Sequence, residues 1–367
     1  MDTPTLTDGT TTIRALADRD VAGVLEQCLD PVSIAWTQVP VPFGVQDAVD
    51  FVHEIAPAAW ADGSQWIFCV DHPLADGSRY AGNIALRDEG HGRAEIAFGA
   101  HPAARGTGAM EAGLRLLLGW GFGERDVQTV VWRANVGNWA SRKLAWRLGF
   151  RVDGVLRHSQ VSRGALVDAW VGTLLADEPR SPTTRWLTSP VLEGAGVRLR
   201  PVGEDDVPRV VEACSDPRTQ HWLGAMPSPY TAEHALGWIE ASTEKQATGR
   251  GTTWAVADPH DDRLLAAISI FDVDDDECEI GYWAHPDARG RGVVRAAVET
   301  VTSWSFADLG LSRVRIVAAV DNAASCHVAE ACGFRRTGEE RLATRVRTGL
   351  ADVALYDVLA PEWPTRQ

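Results

Sequence analysis

Apolar positions along the chain alternate between two rhythms. Ile96, Phe98 and Ala100 alternate with Glu95, Ala97 and Gly99, the period of two that marks a strand with one buried face. Just past a glycine-rich turn, Met110, Leu114, Leu117 and Leu118 fall at i, i+4, i+7 and i+8, one stripe of an amphipathic helix. The same change of rhythm returns later in the chain. Ile280, Tyr282 and Ala284 alternate with Glu279, Gly281 and Trp283, and Val294, Ala297, Val298 and Val301 form the next helical stripe.

The recurrence extends far beyond these elements. HPAARGTG, GNWAS and RLGF in the first half answer to HPDARGRG, DNAAS and ACGF in the second. Arg105 and Arg289, Asn138 and Asn322, Phe150 and Phe334, Arg157 and Arg341, and Asp168 and Asp352 each stand 184 residues apart. Nearer the start of each copy, Cys28/Cys214, Asp30/Asp216 and Trp36/Trp222 stand 186 apart. A period this long exceeds any solenoid repeat and means two whole domains. The expected division is a lobe over 1–178, a Pro/Ser/Thr-containing linker over 179–194, and a second lobe over 195–367. Duplication of this kind can reproduce a dimer interface within one chain, so a monomeric pseudo-dimer or a homodimer is expected.

Each lobe reads as a mixed α/β domain. A short strand (11–16; 197–201) precedes a helix with Asp18 or Asp205 as the expected N-cap. A second helical stretch carries Phe51, Val52 and Ile55, or Ala235, Trp238 and Ile239. Three strands follow (65–71, 79–86, 94–100; 253–257, 264–272, 278–284), then the amphipathic helix, then a strand (127–132; 314–320). A short helix opening at Ser141 or Ser325 and closing at Gly149 or Gly333, and a final strand pair, complete each lobe.

Composition narrows the function classes. Fifty Asp and Glu against 35 Lys and Arg give a net charge of −15, which argues against nucleic-acid binding and is compatible with a cationic amine as partner. No apolar run is long enough for a membrane span and the first residues carry no secretory pattern, so a cytoplasmic location without membrane association is expected. The six cysteines form no CxxC pair and the ten histidines no metal-ligand spacing, so no metal is expected. The acidic run at 274–277 reads as a solvated hairpin turn, and His101 and His285, each before a proline, as turn-shaping residues.

The chemistry concentrates in the strand–turn–helix unit. Arg105, Gly106, Thr107, Gly108 and Ala109, and again Arg289, Gly290, Arg291, Gly292 and Val293, place glycines and a helix N-terminus where a bulky anion could approach the backbone. No GK[ST] sequence follows, which excludes a P-loop, and no acidic residue completes a dinucleotide fingerprint. A plain tight turn is the bland alternative, and its repetition in both lobes counts against it.

On EIAFGAHPAARGTGAMEA with NVGNWASRKLAWRLGF, and EIGYWAHPDARGRGVV with DNAASCHVAEACGF, the chain resembles the GCN5-related N-acetyltransferases, in their RimJ/RimL-like branch. Ala103 and Asp287 depart from the Gln or Arg that opens the family's glycine loop. The resemblance implies two tandem lobes, each a mixed, mostly antiparallel sheet flanked by helices. It implies acetyl-CoA, or another acyl-CoA, as co-substrate and a primary amine, on a protein N-terminus or a small molecule, as acceptor. It places the pantetheine arm along the backbone at Ala100 or Ala284 and at Asn138 or Asn322. Glu95 and Glu279 become candidate bases, and Ser141 and Ser325 candidate proton donors to the departing thiolate. For each there is a plainer alternative: a solvated strand glutamate, a helix-opening serine, a capping asparagine. Trp139, where the second lobe has Ala323, would narrow the first cleft. Tyr356 stands opposite Gly172, while Glu111–Ala112 stands opposite Arg295–Ala296, and these differences leave open whether one lobe or both are catalytic. A non-catalytic acyl-CoA-binding scaffold is the alternative of a different class.

Overall fold

The computed structural model describes residues 3–364, and the chain divides into two compact units, Met1–Thr183 and Thr184–Gln367. Each holds one eight-stranded sheet with its own hydrophobic core.

The N-terminal unit opens with strands β1 (Leu6–Thr7) and β2 (Thr12–Arg14), followed by helices α1 (Val21–Leu29), α2 (Pro31–Trp36), α3 (Val45–Asp50) and α4 (Ala56–Asp62). Then come β3 (Gln65–Asp71), β4 (Tyr80–Gly90), β5 (Arg93–Ala100), α5 (Ala109–Glu124), β6 (Thr129–Asn135), α6 (Trp139–Arg147), β7 (Arg151–Ser162) and β8 (Ala165–Leu175). The C-terminal unit repeats the plan: β9 (Leu192–Gly194), β10 (Val197–Pro201), α7 (Val207–Ser215), α8 (Pro217–Trp222), α9 (Ala232–Ala247), β11 (Gly251–Ala257), β12 (Leu264–Phe271) and β13 (Glu277–Ala284). It closes with α10 (Val293–Ala307), β14 (Arg313–Ala319), α11 (Ala323–Ala331), β15 (Arg335–Val346) and β16 (Gly349–Leu359).

The strand order is 1-2-3-4-5-6-8-7 in the first sheet, and the second follows the same path as 9-10-11-12-13-14-16-15. Neighbours pair antiparallel except β5 with β6 and β13 with β14, which run parallel because a helix, α5 or α10, carries the chain across. The α5 stripe expected from Met110, Leu114, Leu117 and Leu118 is buried against Phe68, Ile84 and Ile96. Helices α1, α3 and α4 cover the opposite face of β3 and β4, through Val24, Ala48 and, from the turn after α3, Val52, and through Ala56 and Ala59, which pack with Ile67 of β3. The sheet thus has helices on both faces, as an α/β layer must to bury two apolar surfaces.

Several boundaries differ from the sequence reading. Residues 192–194, assigned to the linker, form edge strand β9 paired with β10, and Ser189 is buried, bonded to Thr252 and Thr253. Asp18 and Asp205 are not N-caps. Asp20 and Asp206 accept the Ala17 and Gly203 N–H groups at 2.8 and 2.9 Å while holding Arg14 and Arg200, so each cap bond reaches back from a carboxylate inside the turn. The second helical stretch is continuous in α9 but broken in the first unit by a π-type turn at Phe51–Ile55, where Pro57 lacks the N–H that would continue the ladder. Helices α6 and α11 begin two residues before the serines expected to open them, capped by Asn138 and Asn322.

The C-termini of these two helices follow the expected pattern. Gly149 and Gly333 hold φ of 92° and 87°. Their N–H groups bond Trp146 and Glu330 carbonyls, and the next N–H groups, of Phe150 and Phe334, reach Ala145 and Ala329 at 3.0 Å. This is a Schellman closure, with the buried phenylalanine as its apolar lock.

Candidate active site

Strands β5 and β6 pair only from Arg93↔Thr129 to Ile96↔Trp132. Beyond that level β5 stays paired with β4 as far as Ala100, and β6 with β8 as far as Asn135. The two strands therefore part in a wedge whose inner backbone edges have no strand partner. The second sheet parts at the same level, after Ile280↔Ile316. The end of the wedge leads straight into the glycine turn.

Gly106 and Gly108 hold φ of 77° and 87°, Gly290 and Gly292 of 74° and 76°, conformations that glycine adopts without strain. A Cβ built on any of the four meets nothing within 4 Å. The first intrahelical bonds run from Ala112 N–H to Gly108 and from Ala296 N–H to Gly292, each 3.0 Å, so the preceding N–H groups project from the helix end. Thr107 Oγ1 takes the Ala109 N–H at 3.3 Å. An exposed helix N-terminus behind two left-handed glycines is a fit for a pyrophosphate.

Arg105 and Arg289, expected at that anion, have a structural task as well. Arg105 bonds Asp30 and, at 3.3 Å, Ser33. Arg289 bonds Asp216 and, at 2.8 Å, Thr219. Asp30 and Asp216 in turn cap α2 and α8. The Arg105 guanidinium holds the Asp30 carboxyl below its ordinary value. The bonds tie the glycine turn to the helical face of the sheet. His101 and His285, both buried, bond Glu26 and Glu212 at 3.1 Å and accept the Ala103 and Asp287 N–H groups. The loop is thus braced at both ends.

Glu95 and Glu279 stand one pair before the strands part, on the sheet face opposite Ile96 and Ile280, with side chains 18% and 16% exposed. Glu95 Oε2 accepts from Arg87 Nη1 at 3.0 Å, and Oε1 lies 3.1 Å from Arg133 Nη1. Glu279 Oε2 accepts from Arg315 Nη2 at 3.0 Å. Burial pushes the Glu279 carboxyl above its ordinary value, against the opposing pull of Arg315. Glu279 also lines a cavity of about 350 Å³ with Arg313, Arg315, Val317, Glu340 and Leu355 among its walls.

On the other face, at nearly the same level, stand the serines. Ser141 Oγ accepts from Trp132 Nε1 at 3.0 Å, and Ser325 Oγ lies 2.9 Å from the Tyr282 hydroxyl. Asn138 and Asn322 accept the Ser141 and Ser325 N–H groups at 3.1 and 3.4 Å. Trp139 packs on Trp170 with centroids 4.8 Å apart, and the Arg142 guanidinium sits 4.5 Å from the Trp170 ring. Ala323, Ala354 and Cys326 hold these positions in the second lobe.

Three features escaped the sequence reading. The arginines paired with the two glutamates come from neighbouring strands, and only sheet register reveals them. The aromatic donors to the serines come from different strands in the two lobes. Arg163 and Arg347, at the tips of the β7–β8 and β15–β16 hairpins, were visible as another pair 184 apart. Arg163 donates to the Ile34, Thr37 and Val39 carbonyls at 2.6, 2.9 and 2.7 Å. Arg347 bonds Gln220 and the Met226 carbonyl. Each latches its hairpin to α2 or α8 and to the segment that follows.

A profile of the GNAT acetyltransferase domain matches residues 11–151 and, independently, residues 197–335. The chain belongs to the GNAT acetyltransferase family. It is a GNAT-type acetyltransferase carrying the domain twice in tandem. Among its relatives is the putative ribosomal N-acetyltransferase YdaF of Bacillus subtilis, 35% identical over 106 residues, or 28% of this chain. The chain spans 58% of that relative's length. An uncharacterized N-acetyltransferase of the same organism, YoaA, is 24% identical over 174 residues, 47% of this chain and 98% of that protein. Of solved structures, RimJ of Mycobacterium smegmatis in complex with CoA-disulfide aligns over 49% of this chain and 90% of its own, with 20% identity and a TM-score of 0.44. Among the described residues no helix of this GNAT chain is long and apolar enough to cross a membrane, and no cluster of His, Cys, Asp or Glu is placed to hold a metal ion.

Proposed function

We propose that this GNAT chain transfers an acetyl group, or another acyl group, from the CoA thioester to a primary amine by direct attack. The observation that carries the reading is the coupling, in each lobe, of a parted strand pair to a glycine turn and an exposed helix N-terminus. Membership of the family and a relative named as a ribosomal N-acetyltransferase support it.

The CoA thioester supplies the activated acyl carbon. The residues' parts follow from their positions. The glycine turn and the first N–H groups of α5 or α10 hold the pyrophosphate. The unpaired edge of β5 at Ala100, or of β13 at Ala284, offers hydrogen bonds to the amide-bearing pantetheine arm, and Asn138 or Asn322 borders the same wedge. A backbone N–H in the wedge faces charge developing on the carbonyl oxygen, a contribution of about 3 kcal/mol in typical cases. A glutamate at the parting level takes the amine's proton through water. The nitrogen–carbon bond forms, the carbon–sulfur bond breaks, and the serine supplies a proton to the leaving thiolate. The acidic chain favours a cationic acceptor, a protein N-terminus or a small amine.

Calorimetric titration with acetyl-CoA, followed by a free-thiol assay over a panel of amines and peptide N-termini, tests the reading. Binding with thiol release that requires an amine is the expected result. Binding without release from any amine would establish a CoA-binding scaffold instead.

A further inference from the structure

We infer that acyl transfer runs at the C-terminal lobe, and that Glu95 of the N-terminal lobe is locked as a structural ion pair; this rests on the acyltransferase reading above.

The two lobes are each other's control. A general base needs a carboxylate oxygen that no cation holds and that can reach the substrate or its water. In the N-terminal lobe each Glu95 oxygen faces an arginine: Oε2 accepts from Arg87 Nη1 at 3.0 Å and Oε1 is ion-paired with Arg133 Nη1 at 3.1 Å. Arg133 is held from behind by Glu89 at 3.0 Å, and Glu89 is also paired with Arg93 at 2.7 Å. Arg133 follows Trp132, the last residue of β6 paired with β5. The lock therefore stands at the mouth of the wedge.

In the C-terminal lobe the arginine has moved two residues back along the same face. Val317 occupies the position of Arg133, and Arg315 lies within the paired stretch, opposite Glu279. The residue corresponding to Arg87 is Phe271, which sits across from Glu279 on β12. Arg315 bonds one oxygen, Oε2, and its other amino group turns to Glu277 at 3.2 Å. The remaining charged neighbours of Glu279 are Glu277, Asp272 at the end of β12, and Arg313 and Glu340 on the cavity wall. Glu279 thus keeps an oxygen available beside a 350 Å³ cavity.

The proton-donor side differs in the same direction. Trp132 Nε1–H can only donate to Ser141, whereas the Tyr282 hydroxyl beside Ser325 can both donate and accept, and so can return a proton to the serine. The glycine turn of this lobe also carries Arg291 where the first has Thr107, one more cation beside the phosphate position.

The test uses the full chain and one substitution. If transfer runs at one lobe, Glu279→Gln lowers amine-dependent thiol release at least a hundredfold, across the whole amine panel. Residual activity near half of the original, or any amine turned over at the parent rate, overturns the proposal. Val317→Arg, which installs the lock in the second lobe, is expected to abolish release while calorimetry still detects acetyl-CoA binding. Undiminished release overturns the proposal. Carbodiimide labelling of the unsubstituted chain, mapped by mass spectrometry, needs no acceptor: modification of Glu279 with protection of Glu95 supports the assignment, and equal labelling refutes it. Failure of the unsubstituted chain to release thiol with every amine would instead refute the acyltransferase reading.

Discussion

Glu279 shows how a single carboxylate is tuned by competing surroundings. Burial disfavours its charge and Arg315 favours it, with burial the larger effect. A base must be ionised to work, so turnover falls as pH drops through the raised Glu279 value. Removing the opposing cation shifts that limb further. In Arg315→Met the acid limb of kcat/KM is expected to move upward by about one pH unit, and a pH–rate profile of the variant beside the parent measures it. A limb that moves down, or stays, would show that Glu279 is not the titrating group. The paired Asp168 and Asp352 illustrate the opposite outcome for a recurrent acidic residue. Each accepts a backbone N–H, from His158 at 2.9 Å and from Leu342 at 2.8 Å. Those residues hold φ of 49° and 53°, so the aspartates stabilise a left-handed kink that a non-glycine residue resists. Their repetition is structural.

Among the elements, the paired Schellman closures of α6 and α11 offer a comparison between identical motifs in different surroundings. Gly149→Ala would set its new methyl 2.5 Å from the Pro179 carbonyl oxygen, whereas Gly333→Ala would meet nothing within 4 Å. The left-handed backbone alone costs roughly 1–2 kcal/mol for alanine. Gly333→Ala is expected to lose about that much, and Gly149→Ala distinctly more, because backbone rather than a movable side chain blocks the methyl. Urea unfolding of both variants checks the order. These glycines were legible in the sequence, as were α5 and the sheet strands other than β1 and β9, because each rests on a local rhythm or a residue with special backbone freedom. Duplication made the reading firmer, since every motif could be compared with its copy. Strands β1 and β9 were missed because two or three residues carry no period. The roles of Asp20 and Asp206 are not legible in the sequence, because a carboxylate reaching back three residues leaves the same composition as one reaching forward. The partners of Glu95 and Glu279 were invisible for a deeper reason. Arg87, Arg133 and Arg315 are adjacent only through strand register, which no local pattern specifies.

For the whole molecule, the net charge of −15 sets a long-range field on which local sites are superimposed. If the acceptor is a cation, its attraction to the protein weakens as salt screens that field, with a screening length of about 3 Å at 1 M. The acceptor KM is then expected to rise several-fold with salt while kcat holds steady, measured by thiol release at saturating acetyl-CoA; an unchanged KM would exclude a field-guided cationic acceptor. The separate sheets and cores also bear on how the two copies diverge. Trp132 lies across from Gly172, where a Cβ would come within 3.3 Å of the indole and 2.5 Å of the Arg151 carbonyl oxygen. In the other lobe Ile316 lies across from Tyr356, whose hydroxyl reaches Glu330 at 3.1 Å. Large beside small in one copy is medium beside large in the other. A crossover falling between these two strands would join tryptophan to tyrosine, overfilling the layer, or isoleucine to glycine, leaving it hollow, and both outcomes destabilise a close-packed interior. The exchanged pair is therefore expected to leave such a hybrid lobe less stable than either parent lobe.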